Sequence, residues 1–180
     1  MHSISSLRPN VTREEAVREF SSGMAGLLNR AAAGPLRTVA DAYLPFHVFR
    51  VEIRNGGKVE EHFFGLDAVT GALDLYEFTR PPEAAELVRI ESRNCLPGSL
   101  HSVRAESILV DKVRRLLFSR GFFRIRELRI RVTQLSEVHV PYWLGFRGRD
   151  ERARMSVLDA VRRRPEGAKA REIFQTWLAA

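Results

Sequence analysis

The chain has 180 residues, 44% of them hydrophobic, a formal net charge of +7 and a single cysteine. That much apolar material can fill a packed interior, which excludes wholesale disorder, and no apolar run is long enough to cross a bilayer. The lone Cys95 excludes an internal disulfide, and the first ten residues lack the basic-then-apolar order of a secretory signal, so the cytoplasm is the expected compartment.

Residues 1–11 read as a flexible tail. Thr12 followed by Glu15 is a capping-box pattern. Ala16, Val17, Phe20, Met24, Leu27 and Leu28 then recur at helical spacing, which predicts a helix to about Ala32, ended by Gly34-Pro35. From Tyr43 to Arg54 apolar and charged residues alternate, as in a half-buried strand. Asn55-Gly56-Gly57 supplies a tight hairpin turn, Val59 to Leu66 the returning strand, and Asp67 to Gly71 a second turn. Ala72 to Phe78 reads as a third strand, closed by Pro81-Pro82. Glu83 to Glu91 fits a short helix or an edge strand. Ser102 to Ser119 is helical in pattern and Gly121 ends it. Phe122 to Val140 is extended, with a slip in alternation near Gln134-Leu135 that suggests a bulge or a break. Tyr142 to Phe146 continues as strand, Gly148-Arg149-Asp150 turns, and Ala153 to Leu158 returns. A last helix runs from about Glu166 to Leu178, with Ile173, Phe174, Trp177 and Leu178 as its apolar stripe.

Two stretches echo one another. Leu44-Pro45-Phe46, a hairpin and Leu66-Asp67-Ala68-Val69 are matched by Val140-Pro141-Tyr142, a shorter hairpin and Leu158-Asp159-Ala160-Val161. Each set follows a helix, which suggests two related halves. The second copy has Arg162-Arg163 in place of Thr70-Gly71. Residues 12–79, a helix and three strands with Leu66-Asp67-Ala68-Val69-Thr70-Gly71 between the last two, resemble the PepSY-like group of domains. The resemblance implies a helix on a small antiparallel sheet and a non-catalytic binding or inhibitory role.

The expected fold is therefore α+β: an antiparallel sheet with helices packed on one face, in two pseudo-repeated halves, 12–82 and 83–180. The charge divides unevenly between the ends of the chain. Residues 1–90 hold 10 Lys+Arg against 12 Asp+Glu and residues 91–180 hold 19 against 10, giving −2 and +9. A basic half implies an acidic partner, a protein face or a nucleic acid; arginine enrichment through codon bias on a solvated surface is the other reading.

The residues singled out for binding are Arg129, Arg131, Tyr142, Trp143, Arg147, Arg152 and Arg154. Alternate arginines on a strand project from one face and can follow an acidic partner, with aromatic side chains nearby for stacking. Arg124, Arg126, Arg149 and the run Arg162-Arg163-Arg164 extend the basic set. No GxSxG, Walker or GxGxxG motif is present, and no Cys/His ligand set, so neither cofactor nor metal is expected. Asp67 and Asp159 could act as a carboxylate pair in a hydrolase, and Glu60, His62 and His47 could face a metal; fixing turns and lining a polar hairpin edge are the structural readings of the same residues. A non-catalytic interaction module is the expected function, with RNA or DNA binding as the alternative and homodimerisation through a sheet edge as a further possibility.

Overall fold

A computed structural model describes residues 2–22, 34–119, 128–148 and 153–180. Within them lie eight strands: β1 (His2–Leu7), β2 (Leu36–Asn55), β3 (Lys58–Asp67), β4 (Tyr76–Phe78), β5 (Leu87–Ser92), β6 (Arg129–Arg147), β7 (Arg154–Asp159) and β8 (Arg164–Pro165). Three helices accompany them: α1 (Arg13–Ser21), α2 (Ser102–Ser119) and α3 (Ala168–Ala179). The hydrogen-bonded order is β4-β3-β2-β6-β1-β5, with β7 beside β6 and β8 beside β7.

The fold is α+β as expected, but the sheet is mixed. The expected tail contains β1, which runs antiparallel to β5 and parallel to β6 at Ser6–His139. The Ser6 hydroxyl donates to the His139 carbonyl at 3.2 Å, and Leu7 is buried. A strand reading His-Ser-Ile-Ser-Ser-Leu carries little apolar alternation, and only its partners hold it in place. The third strand is also shorter than expected, residues 76–78 alone. The region from Glu83 is a short 3₁₀ turn followed by β5. β6 is one continuous strand across Gln134. The expected end of the first helix and residues 122–127 lie outside the described residues.

Backbone proximity divides the chain into two compact units: residues 1–44, 87–96 and 139–180, and residues 45–86 and 97–138. In the second unit, Gly56 (φ 56°) and Gly57 (φ 85°) turn β2 into β3, the left-handed pair that a two-residue hairpin loop requires. Phe49, Val51 and Ile53 of β2 and Phe64 and Leu66 of β3 form a buried cluster with Ala105, Leu109, Val113 and Leu117 of α2. The strand residues are two apart and the helix residues four apart, so each element offers one apolar face.

In the first unit, α1 begins with the expected capping box. Thr12 accepts from the Glu15 N–H at 3.2 Å, and Glu15 accepts from the Thr12 N–H at 2.8 Å. Val11, Ala16 and Phe20 pack with Val39, Leu158 and Ala160, and Trp143 joins this cluster. A Cβ at Gly145 would stand 2.7 Å from the Phe20 ring, so the glycine is what lets α1 sit so close to β6. Tyr142 instead meets Phe174 of α3, ring centroids 5.3 Å apart. Adjacent strand residues point to opposite sides, so α1 and α3 cover opposite faces of this unit's strands, not one face as expected.

The helices are thus exchanged with respect to chain order. α1 precedes the first hairpin but packs against the second, β6–β7. α2 precedes the second hairpin but packs against the first, β2–β3.

Candidate binding site

The two Leu-Asp-Ala-Val segments form turns of the same backbone geometry. Phe46 pairs with Asp67, and Tyr142 with Asp159. The Ala68 N–H donates to the Pro45 carbonyl at 2.8 Å, and the Ala160 N–H to the Pro141 carbonyl at 3.0 Å. Four residues after each aspartate, Gly71 (φ 69°) and Arg163 (φ 57°) take the left-handed conformation. Their N–H groups donate to the aspartate carbonyls at 3.1 and 3.0 Å.

The carboxylates differ. Asp67 Oδ1 accepts from the Thr70 N–H, the Thr70 hydroxyl and the Gly71 N–H, and Oδ2 accepts from the Leu73 N–H at 2.9 Å. Every oxygen is occupied in fixing the turn. Asp159 Oδ1 accepts from the Val161 and Arg162 N–H groups, both at 2.8 Å, but its Oδ2 is buried without a hydrogen-bond partner. Burial raises the Asp159 carboxyl above its ordinary value, against the opposing pull of those two N–H groups. Glu166 is raised in the same way by burial, with Arg164 opposing. The arginine run is held by neighbours: Arg163 meets Glu15 at 2.6 Å and Arg164 meets Glu166 at 3.1 Å.

The Glu60–His62 face is a polar strand edge, with the two side chains 3.5 Å apart. His47 is engaged at both ring nitrogens, by the Leu100 carbonyl at 2.9 Å and by Gln134 and Glu137 at 3.2 and 3.4 Å. Among the described residues no three His, Cys, Asp or Glu side chains gather in a group that could hold a metal ion.

The basic residues give a more concentrated picture. Arg129 and Arg131 stand exposed on β6 in the second unit. Tyr142 is 2% exposed and belongs to the core. The Tyr142 ring is therefore unavailable for stacking. Trp143 is half-buried, its Nε1–H donating to the Val11 carbonyl at 2.9 Å. Arg152 lies outside the described residues, as do Arg124, Arg126 and Arg149. Arg147 and Arg154 are brought together as register partners at the end of the β6–β7 ladder, beside the pair Phe146–Met155.

Those four residues line a groove of about 550 Å³ in the first unit, completed by Arg37 and Thr38 of β2 and by Gln175 and Leu178 of α3, among others. Arg147 is 3% exposed. Its Nη1 donates to the Gly34 carbonyl at 3.2 Å and its Nη2 to the Phe20 carbonyl, while Nε has no partner. No carboxylate among the described residues pairs with Arg147 or with Arg37, whose Nη1 reaches the Gly148 carbonyl at 3.5 Å. Carbonyl dipoles satisfy donors but leave a full positive charge in a poorly hydrated place, where its field reaches far.

Sequence reasoning passed over Arg37. It lies in the acidic half of the chain, and only long-range strand pairing carries it to Gly148. Leu178, in the apolar stripe of α3, is half exposed in the groove wall. No family model, no curated protein and no solved structure matches the chain.

Proposed function

We propose that this chain is a non-catalytic interaction module that holds an acidic partner in the groove of its first unit. The observation that carries this reading is the buried guanidinium of Arg147, unneutralised by any described carboxylate and flanked by Arg37 and Arg154. An anion bound at the groove is held in the field of that buried charge. The charge of +9 on residues 91–180 favours the same kind of partner at longer range. The resemblance of residues 12–79 to PepSY-like domains implies the same non-catalytic class but not this groove, since α1 packs on β6–β7 and only Arg37 and Thr38 of the groove fall within those residues. A single cysteine suits a reducing compartment such as the cytoplasm.

The finer architecture belongs to the same reading. Two helix-plus-hairpin units with matching Pro-x…Asp-Ala turns are supported as products of one duplication by their shared register and their paired left-handed residues. Their helices are exchanged, as happens when two copies of an element swap places.

The test is retention on immobilised poly-glutamate over a salt gradient. The wild-type chain is retained and elutes with salt. Arg37→Glu with Arg154→Glu abolishes retention, and Arg129→Glu with Arg131→Glu leaves it intact. No salt-dependent retention at all removes the reading. Nucleic acid remains the second reading, favoured by the exposed, alternating Arg129 and Arg131; it requires the opposite pattern of losses, on a single-stranded oligonucleotide column.

A further inference from the structure

We infer that the outer edge of β5 is an interface for a second copy of this chain, the two β5 strands pairing antiparallel about a twofold axis at Ile90. β5 is the last strand in the hydrogen-bonded order: β1 lies on one side of it, and no described strand pairs with the other. An open edge presents unpaired N–H and C=O groups, a template for another strand. The sequence Leu-Val-Arg-Ile-Glu-Ser contains no proline, so every outward-facing residue has an N–H to donate. The edge shares no residue with the groove, and the inference stands whatever the groove holds.

The charges select the partner and the register. Arg89 and Glu91 are both exposed and, two apart on the strand, share one face. Their neighbours on β1 are Ser5 and Ser3, which offer no counter-charge. Arg89 Nε donates to the Ser3 hydroxyl at 2.8 Å, and neither Arg89 nor Glu91 makes an ion pair among the described residues. Residues two apart on a strand stand about 6.6 Å from one another, whereas those directly opposite on a paired strand stand about 4.5–5.5 Å apart. A partner strand therefore brings a counter-charge closer than either residue brings it to the other. An edge of one charge sign repels its own copy; this edge carries both signs. In a twofold antiparallel pair the axis passes through one residue, and positions equally spaced about it face one another. With the axis at Ile90, Arg89 faces Glu91 of the second copy, and symmetry forms that pair twice. An axis at Arg89 or at Glu91 sets like charges opposite each other, which is unfavourable. An axis at Val88 puts Arg89 opposite Leu87 and forms no ion pair. The Ile90 register also lays the two half-buried isoleucines against each other.

The experiment is sedimentation equilibrium of the full chain, from micromolar to submillimolar concentration, on wild type and on variants at these exposed positions. Wild type behaves as a reversible monomer–dimer system. Glu91→Arg sets arginine against arginine twice and weakens dimerisation about tenfold or more; Arg89→Glu does the same with glutamates. Arg89→Glu combined with Glu91→Arg restores both pairs in the reversed sense and returns dimerisation to within about threefold of wild type. That rescue separates pairing across the axis from any effect of one side chain on the fold, because each half of the double variant is disruptive alone. A wild-type chain that stays monomeric throughout overturns the inference. So does a dimer that survives Glu91→Arg unweakened, or one that the double variant fails to restore.

Discussion

Asp67→Asn and Asp159→Asn make the same chemical change in two turns of the same geometry, and the structure assigns them different costs. At residue 67 the change turns Oδ2, which accepts from the Leu73 N–H at 2.9 Å, into a second donor facing that N–H. A hydrogen bond to a charged group contributes about 1.5–3 kcal/mol, and its loss leaves the Leu73 N–H buried and unpaired, so the variant loses about 3 kcal/mol. At residue 159 the same atom has no partner to lose. The Val161 and Arg162 N–H bonds weaken when the acceptor becomes neutral, but a desolvated charge is removed with it, and the variant stays within about 1 kcal/mol of wild type. Urea unfolding followed by far-ultraviolet circular dichroism, which reads both units, measures each. The pH dependence separates them further. Burial raises the folded-state Asp159 carboxyl above its unfolded value of about 3.9. The native state therefore holds that proton to higher pH than the unfolded chain does. Its contribution to stability is fully present below the unfolded value and is lost as pH rises through the folded one. Asp159→Asn removes that decline; the part due to Glu166, raised likewise, persists. Equal losses at the two positions, or a larger loss at 159, would refute the reasoning.

Three further outcomes follow from the packing. Gly145→Ala drives a Cβ to within 2.7 Å of the Phe20 ring; calorimetry finds it less stable by about 1–3 kcal/mol, and Phe20→Leu in the same chain recovers part of the loss. Gly71→Ala meets both a left-handed backbone and Ile108 at 3.0 Å, and destabilises by about 1–3 kcal/mol, whereas Arg163→Gly, which relieves the same backbone and gives up an exposed ion pair, changes stability by under about 1 kcal/mol in the same denaturation assay. Because each helix packs on the hairpin of the other half, a protease site inserted between Pro82 and Glu83 yields fragments that stay together under native conditions; gel filtration showing two separately folded fragments would contradict the exchange.

The local structure was legible where one segment supplies its own signal. Thr12 with Glu15, Asn55-Gly56-Gly57 and the helix Ser102–Ser119 were all readable, since capping, positive-φ turns and helical periodicity are properties of short stretches. The turn role of Asp67 followed from its neighbours Thr70 and Gly71. What stayed hidden depends on partners distant in the chain. β1 is a strand because β5 and β6 lie beside it, not because of its own composition. An amphipathic helix announces an apolar face but not which sheet it will cover, so the exchange of α1 and α2 left no mark in the periodicity. The groove was half visible: Arg147 and Arg154 stood out in a basic run, but Tyr142 and Trp143, which looked like stacking surfaces, are held by Phe174 and Val11. Arg37 joins the groove from about 110 positions away, a pairing that no local pattern encodes.

Hydrogen exchange of the full chain, free and saturated with poly-glutamate, tests the central claim most directly, because it locates the bound surface without substituting any residue. The account predicts slowed exchange in residues 37–39, 146–148, 153–155 and 175–179, and unchanged exchange in 129–132. Protection confined to 129–132, or spread evenly along the basic half, would contradict it.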